Sequence, residues 1–600
     1  MQNKRFIKYL LFLLVIFLLI SIQHAKQTKW RNGGTKTIIN SDGIGYYAHL
    51  AAIFIYDMEY EFVKDKIEQG YIPSYAAYYF KKHENGKIYN MTFVGNAIML
   101  LPGFLIASIT SFIFNLPIDG YNSIFQVSIS INSMIFSLLG LYFVGLFLKR
   151  KGFTFQTIIL VLTGFYFGSN LYYYSLYEPA MTHQYLFFLI SLFFLKLDSY
   201  IAQPRKILFV LLSGIYGLIV LIRPANGILI FFIPFFFKNQ NSFKNFIKHN
   251  LSNLIKSGFI GSLVILGILS IQLIVWKIDT DNWVVYGYGD KGFNFLSPKM
   301  LQILFSYKKG LFIYTPITFI SLFGFYYMFK QSKYKSYVLF LIFIFVTYIL
   351  SSWWSWYYGG SYGLRAYIDY FIIFMIPLAY FIEKVKYKWL PFLIIAATIA
   401  YTQIQIYQYK HYIIHNFGQD KHTFWKTFLR TKGDYVGLVY EPIPPNLNNI
   451  KPIELHKDFE NGSSLFVSKE FAYNGEASLK LMPEEQTVIF KLENEDFDLN
   501  AEYFMEVSFY SLSYKNPVQL KAILSLSNQN IGNYKWITNF IQERFYESNK
   551  KWKQKKYTRY LGKMKSKEDV MLFYFELNSK HPVYIDNLTI NLFPTTHLKN

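Results

Sequence analysis

Long apolar runs without charged residues recur along roughly the first two-thirds of this 600-residue chain and set its environment. They extend from Phe6 to about Ile406, and many exceed the ~18 residues at which a membrane-spanning helix becomes the default interpretation. Of all residues, 53% are apolar and only 16% are charged, which suits helices that face lipid. After Tyr407 these runs stop and charged residues return, so a soluble part follows the apolar part.

Short basic connectors between the apolar runs predict which loops stay in the cytoplasm. Fifteen Lys and Arg residues fall in five such connectors, and short basic loops are retained inside. These connectors are 149–151, 205–206, 238–256, 330–335 and 384–388. The connectors that then face outward are 23–123, 176–182, 223–224, 278–310 and 353–365.

This alternation predicts a polytopic α-helical membrane protein with about eleven spans, its N-terminus inside and its C-terminal domain outside. The spans are 6–22, 124–148, 154–175, 183–199, 207–222, 225–237, 258–277, 311–329, 337–352, 366–383 and 389–406. The first span lacks a good small-residue cleavage pattern, which favours an uncleaved span over a signal peptide. The run 92–115 would break the alternation, so we expect an interfacial or re-entrant segment on the outer face. The run 225–237 is short for a span, and tilting, a break at Pro224 or partial insertion are all open.

The formal net charge of +23 does not indicate nucleic-acid binding, because much of the basic charge lies in the connectors. The chain also lacks zinc-finger spacing and an RNA-binding aromatic signature. It contains no cysteine, which excludes disulfides and cysteine-ligated metals. The lipid bilayer is therefore the partner that the composition predicts.

Polar residues collect in the outward connectors, close to the predicted span ends. The five motifs are 41–47, 177–183, 221–226, 307–312 and 353–365. Taken singly, each also fits an ordinary role: a turn, a solvated loop, an interfacial anchor or an aromatic belt. Because all five fall on one predicted face, their ionisable residues suggest a shared outward cavity.

The order of these motifs resembles the membrane-embedded GT-C glycosyltransferases, whose relatives include protein O-mannosyltransferases and lipid A aminoarabinose transferases. The similarity covers residues 1–415. It rests on Asp42 in the first outer loop, Tyr89-Asn90 and Gly95 before the run that contains Pro102, Leu-Ile-Arg-Pro at 221–224, Phe305-Ser306 with Gly-Leu-Phe at 310–312, and the aromatic and glycine-rich stretch 356–365. The resemblance implies a sugar donor carried on polyprenyl phosphate, and juxtamembrane helices in the loop 23–123.

The resemblance implies hexosyl or pentosyl transfer by single displacement, with Asp42, which matches the family's loop carboxylate, taking the acceptor's proton. The candidates for holding the departing phosphate are Arg223, Lys308, Lys309 and Arg365. The predicted substrate-binding residues are Tyr46, Tyr47, Tyr89, Glu178, His183, Trp354, Trp356 and Tyr358. No second carboxylate follows Asp42 as in the metal-binding members, so we expect no metal and no other cofactor. The predicted partners are a polyprenyl-phosphate sugar and an envelope glycan, lipid or protein as acceptor.

Beyond the apolar part, a proline-containing linker, 416–452, precedes a predicted β-rich domain, 453–600. Seven or eight short alternating segments in this domain are typical of a β-sandwich. Segments 475–481 and 583–588 resemble jelly-roll carbohydrate-binding modules. Trp536 or Trp552 is a candidate for stacking on a sugar; core packing and a lid over the outer cavity are the alternatives.

Two other functional classes fit a chain with many spans. A transporter or flippase of lipid-linked sugars predicts inverted repeats and ionisable residues at mid-membrane, whereas the notable charges here lie at predicted outer span ends and no internal repeat is visible. The other class is a noncatalytic scaffold for sugar binding or assembly, built around the C-terminal β-sandwich.

Overall fold

The computed structural model describes residues 2–595 with internal gaps. The gaps are 29–37, 290, 412, 416–418, 432–446, 448–449, 461–465, 483–485, 494–496, 514–517, 529–531, 544–550 and 579–580. The chain divides into two compact units between Ile406 and Tyr407, with 416–418 assigned to the first. The first unit is mainly helical and the second contains two β-sheets.

Apolar sequence becomes helix in the first unit, since a helix pairs its backbone groups internally where water is absent. The helices are Gln2–Thr28, Gly43–Ile55, Phe62–Glu68, Gly95–Ile113, Ser123–Arg150, Phe155–Phe167, Leu171–Tyr177, His183–Ala202, Lys206–Ile222, Gln240–Thr280, Met300–Phe305, Leu311–Tyr314, Pro316–Leu322, Gly324–Gln331, Lys333–Ser351, Ile372–Lys384 and Trp389–Lys410. Shorter 3-10 helices are Ser74–Tyr79, Pro224–Phe236 and Arg365–Tyr370.

Six of these helices are long and apolar enough to cross a membrane, counted over the described residues. They are Gly95–Ile113, Ser123–Arg150, His183–Ala202, Gln240–Thr280, Lys333–Ser351 and Trp389–Lys410. These helices mark the chain as a membrane protein. We keep three features as predictions: the count of eleven spans, their orientation, and the interfacial position of 92–115. Within that last run, Gly95–Ile113 forms one continuous helix that includes Pro102.

The predicted span 311–329 is not one helix. It is divided into Leu311–Tyr314, Pro316–Leu322 and Gly324–Gln331. The first break precedes Pro316, which has no N–H to donate and disfavours helical geometry at Thr315, where φ is −139°. The predicted span 154–175 is likewise divided, with its first helix ending at Gly168.

The basic connector 238–256 is helical rather than a loop. Asn239 and Ser242 form a reciprocal capping box, so the helix Gln240–Thr280 begins before the predicted apolar span at 258–277. With 41 residues it is about 60 Å long. Hydropathy predicts the apolar part of this helix, at 258–277, but not the polar part that precedes it.

The first outer loop has its own packed structure. Strands β1 (Phe80–Lys82) and β2 (Ile88–Asn90) pair antiparallel, and Nδ2 of Asn90 donates to the carbonyl of Gly45 at 2.7 Å. Tyr47 is buried and donates to the carbonyl of Gly120. These contacts join strand β2 and Gly120 to helix Gly43–Ile55, which Asp42 immediately precedes.

The second unit contains two sheets that share one core. Its strands are β3 (Ile453–Lys457), β4 (Val467–Ser468), β5 (Ser478–Leu481), β6 (Gln486–Glu493), β7 (Glu502–Ser513), β8 (Val518–Asn528), β9 (Gly532–Glu543), β10 (Lys553–Gly562), β11 (Val570–Asn578) and β12 (Val583–Thr595). One sheet has the order β10-β7-β12-β5-β4, with β3 also paired to β12, and the other has the order β6-β11-β8-β9. Alternate buried residues of β7 meet those of β11, as in the edge-to-face contact of Phe509 with Phe575 at 5.2 Å.

Two sequence predictions for the second unit fall partly outside the described residues. Most of the linker 416–452 does so, and so does the side chain of Trp536. Trp552 is partly buried and makes an edge contact with Tyr473, at 6.0 Å between ring centroids. Whether this face binds sugar stays a prediction.

Candidate functional site

Asp42 stands at the N-terminal end of helix Gly43–Ile55, and close packing fixes its position. A Cβ atom on Gly43 would lie 2.7 Å from the Cβ of Ala180 and 3.0 Å from its carbonyl carbon. Only a residue without a side chain lets the two backbones approach this closely. The start of helix Gly43–Ile55 and the connector 176–182 are therefore in direct contact beside Asp42.

Asp42 forms an ion pair with Arg365, which is 323 residues away in the chain. Nη2 of Arg365 donates to Oδ2 of Asp42 at 2.6 Å, and the hydroxyl of Tyr79 donates to Oδ1 at 2.7 Å. Burial alone would raise the pKa of Asp42, but the charge of Arg365 and the Tyr79 hydrogen bond outweigh burial and lower it. The carboxylate is thus ionised at neutral pH, and 31% of its side-chain surface remains exposed.

The guanidinium of Arg365 has donor capacity beyond this pair. Nη1 faces the Sδ atom of Met181 at 4.0 Å, and Nε is buried with no hydrogen-bond partner in the described part of the chain. Burial would lower the pKa of Arg365, but Asp42 raises it above its usual value, so the group is permanently charged. A planar fork of five N–H donors can hold an oxyanion while one donor stays on Asp42.

A second carboxylate–guanidinium pair, Asp369 with Arg223, lies near enough for the charges of Arg223 and Arg365 to act on one another. Nη1 of Arg223 donates to Oδ2 of Asp369 at 3.0 Å. Nδ1 of His183 lies 2.9 Å from Oδ1, and Nδ2 of Asn226 donates to Oδ2 at 3.1 Å. Asp369 therefore accepts hydrogen bonds from three side chains outside its own 3-10 helix.

Glu178 is buried next to these charges, with 4% of its surface exposed. Its Oε1 accepts from the hydroxyl of Tyr173 at 3.1 Å, and its Oε2 has no partner among the residues described. Burial raises the pKa of Glu178 to about 7; the charge of Asp42 adds to the rise, while Arg365 and Lys309 oppose it. The burial of Glu178 and His183 excludes the interpretation of both as solvated loop residues.

The two lysines of the motif 307–312 lie differently. Lys309 is buried and donates to the carbonyl and hydroxyl oxygens of Ser361, with the hydroxyl at 3.0 Å. Burial, and then the charge of Arg365, lowers the pKa of Lys309 well below its usual value. Lys308 is instead half-buried, with its ammonium 3.6 Å from the ring centroid of Tyr357. Lys309 thus lies among the buried ionisable residues of the cluster, whereas the described contact of Lys308 is with an aromatic ring.

The predicted aromatic residues divide between the cluster and its surroundings. The ring of Tyr358 lies 5.9 Å from Cζ of Arg223, and Tyr46 interacts electrostatically with both guanidinium groups. The others make their described contacts elsewhere: Tyr47 packs inside the first outer loop, Tyr89 lies edge-on to His83, Trp354 is exposed beside Lys291, and Trp356 packs on Tyr357.

Three residues of the cluster escaped the sequence prediction: Asp369, Tyr79 and Tyr288. The charges of Asp42, Arg223 and Arg365 all act on Tyr288, and burial together with Asp42 raises its pKa to about 12. Asp369 had one available signal, an acid within the apolar run 366–383. The two tyrosines had none, because 20% of the chain is aromatic and a single Tyr does not stand out.

Across the described residues, no group of three or more His, Asp or Glu side chains is arranged to hold a metal ion. Both oxygens of Asp42 already accept hydrogen bonds, and those of Asp369 accept from three donors. The chemistry that the cluster offers is one ionised, partly exposed carboxylate paired with one guanidinium and close to a second carboxylate–guanidinium pair.

Comparisons with known proteins give weak structural likenesses and no sequence match. No protein-family model and no curated protein matches the chain. The xylan-binding CBM22-1 domain of Xyn10C from Paenibacillus barcinonensis is 18% identical (TM-score 0.18), over 24% of this chain and 94% of that domain. A family 16 carbohydrate-binding module-2 is 16% identical (TM-score 0.16), over 21% of this chain and 82% of the module.

The arabinosyltransferase EmbB from Mycobacterium smegmatis is 9% identical to this chain, with a TM-score of 0.26. The match covers 79% of this chain and 57% of EmbB. Likenesses at these scores assign neither substrate nor residue roles, so the chemistry is inferred from the side chains themselves.

Proposed function

We propose that this chain is a membrane-embedded glycosyltransferase that moves a sugar from a polyprenyl-phosphate donor to an envelope acceptor on the non-cytoplasmic face. The observation that carries the proposal is the 2.6 Å contact of Asp42 with Arg365, set among further cations. One ionised carboxylate beside fixed guanidinium groups suits a reaction that frees a proton and develops charge on a phosphate. The membrane helices suit a donor with a long apolar tail.

The reaction is a single displacement at the anomeric carbon. The acceptor oxygen forms the new bond as the bond from the anomeric carbon to the phosphate oxygen breaks, and the phosphate leaves with the electron pair. Asp42 takes the proton of the acceptor hydroxyl. Arg365 and Arg223 stabilise the extra negative charge on the departing phosphate, with Lys309 beside them.

The pairing of Asp42 with Arg365 implies that the donor binds before Asp42 becomes an effective base. In the free protein Arg365 keeps the pKa of Asp42 low, which makes the carboxylate a weak base. A donor phosphate that binds the guanidinium draws part of its positive charge away from Asp42 and so raises the carboxylate's pKa. Asp42 therefore becomes a better base once the donor is bound.

The test is sugar transfer by the purified full-length protein from a panel of polyprenyl-phosphate sugars to candidate glycan, lipid and protein acceptors. Asp42→Asn should lower the rate at least ~10²-fold. Asp198→Asn, which removes the ion pair with Lys151 at the end of helix His183–Ala202, serves as the matched control. Near-native transfer by Asp42→Asn would eliminate the proposed base; transbilayer movement of lipid-linked sugar without transfer would favour the transporter.

A further inference from the structure

Asp369 joins three segments of the first unit at one buried point. His183 begins helix His183–Ala202, Arg223 follows helix Lys206–Ile222, and Asn226 lies in the 3-10 helix Pro224–Phe236. The hydroxyl of Tyr370 donates to Oδ1 of Asn226 at 2.6 Å, so Asn226 is itself fixed. The three partners of Asp369 lie within hydrogen-bond distance of its carboxylate, and Tyr370 lies within that distance of Asn226.

Asp369 also shares a short 3-10 helix, Arg365–Tyr370, with the guanidinium that pairs with Asp42. The first residue of that helix is Arg365, and Asp369 follows four residues later. One short backbone segment therefore carries a cation for the first pair and an anion for the second. A displacement of this segment would move one member of each pair.

The hydrogen bonds of Asp369 dictate the state of its neighbours. An ionised carboxylate only accepts, so Nδ1 of His183 carries a proton, and Nε2 of a neutral ring is then an acceptor. Nε2 is buried and has no partner in the described part of the chain. The guanidinium of Arg223 is 21% exposed, whereas Asp369 is 0% exposed. The carboxylate of Asp369 is therefore fully buried, and the side chain of Arg223 is partly accessible.

We infer that Asp369 is a positioning residue that holds Arg223 and His183 as one half of the donor site, with Arg223 on the phosphate and Nε2 of His183 accepting from a sugar hydroxyl. This inference rests on the proposed function and deepens it, since it names the residue that fixes the donor. A buried acceptor without a partner is costly, and a ligand hydroxyl would satisfy it. Asp369 acts through the two side chains that it orients.

The experiment measures binding of undecaprenyl phosphate, which carries no sugar, to the purified full-length protein in detergent. Asp369→Asn places an amide among three donors and should weaken binding about tenfold to hundredfold. Arg223→Gln should weaken it similarly. The double variant should bind within about twofold of Arg223→Gln alone, because the effect of Asp369 passes through Arg223. Asp198→Asn is again the control and should bind like the wild type.

The sugar contact needs a donor that carries a sugar. With a donor that the wild type uses, Asp369→Asn should raise KM more than it lowers kcat. His183→Asn, whose amide N–H can keep the donor to Asp369 while Nε2 is lost, should raise KM for that donor by a larger factor than it weakens undecaprenyl phosphate binding. Equal losses by His183→Asn in both assays would overturn the sugar contact.

The outcomes separate this inference from the proposed function. Unchanged undecaprenyl phosphate binding by folded Asp369→Asn, or fully additive losses in the double variant, would overturn the positioning role even if transfer depends on Asp42. Binding that depends on Asp369 in a protein that transfers no sugar would support the role and reject the transferase. Should Asp369→Asn fail to fold, Asn226→Ala removes one of its donors and should weaken binding about threefold; unchanged binding by that variant would overturn the role.

Discussion

The two carboxylate–guanidinium pairs contain the same groups but differ in which member is exposed to solvent. Asp42 contacts Arg365 at 2.6 Å and Asp369 contacts Arg223 at 3.0 Å. In the first pair the acid is the exposed member, with 31% of its side chain open against 10% for its partner. In the second the acid is sealed and the guanidinium is 21% exposed. An exposed acid is available for proton transfer, whereas a sealed acid serves to aim its partner.

Arg365→Gln tests the exposed pair and has the largest expected effect on rate. Loss of the guanidinium leaves the departing phosphate without its main cation, so transfer should fall about 10²- to 10³-fold. The readout is the initial rate with a saturating lipid-linked donor. Arg150→Gln, which removes bonds to Leu195 and Ser199, is the matched control and should stay within about twofold of wild type. An unchanged rate in Arg365→Gln would show that this pair does not carry the chemistry.

Asp369→Ala tests the sealed pair and should act mainly on stability. It leaves Arg223 without its buried counter-charge, and the free energy of unfolding should fall by about 3–5 kcal/mol. Asp42→Ala leaves Arg365 unpaired as well, but Asp42 is partly solvated and accepts from only two donors, so its loss should be smaller, about 1–3 kcal/mol. Unfolding by SDS titration in mixed micelles measures both. Equal losses in the two variants would remove the distinction between the pairs.

Glu178→Gln tests a third acid that lies between these extremes. Its pKa of about 7 lies above the value of 4.5 expected in an unfolded chain. The resulting stabilisation is complete below about pH 4.5 and is lost as pH rises through about 7. Ionised Glu178 would also repel the donor phosphate, so KM for the donor should rise up to about tenfold from pH 6 to 8. The Gln variant should show neither trend, and a wild-type profile in that variant would contradict the assignment.

Tyr79→Phe should have the smallest effect of the four. It removes one hydrogen bond to Asp42 while Arg365 remains, so the pKa of Asp42 rises and the acid limb of the pH–rate profile moves toward neutral pH. The rate at pH 7 should change less than about tenfold. A Tyr78→Phe variant, altered at the exposed neighbouring ring, is the control. An unmoved acid limb would mean that Asp42 is not the titrating base.

Much of the helical architecture follows from hydropathy, and its interruptions follow less well. The run 124–148 corresponds to one helix, Ser123–Arg150, because a long apolar stretch has no other way to pair its backbone. The run 311–329 has the same composition but contains Pro316, and the break there depends on one residue rather than on an average. The charge of the basic stretch 238–256 predicted a loop, although Asn239 is a residue type that favours the N-cap of a helix and does cap one here.

The sequence prediction selected those residues of the cluster that are charged and also lie in a predicted connector. Asp42, Arg223 and Arg365 each lie within a predicted outward connector, and charged residues near the ends of apolar runs suggest a function. Asp369 lies inside a predicted span, and its partners His183 and Arg223 are 186 and 146 residues away in the chain. Such pairings arise from tertiary packing, which no local pattern encodes.

The absence of a side chain at Gly43 has a consequence for how activity would be lost. Two backbones meet there with less clearance than one methyl group needs. A 1 Å drift between them would misplace the carboxylate and cost about 10²-fold in rate while every helix stayed formed. Under the proposed function, loosening of this one contact would therefore lower the transfer rate without unfolding any helix.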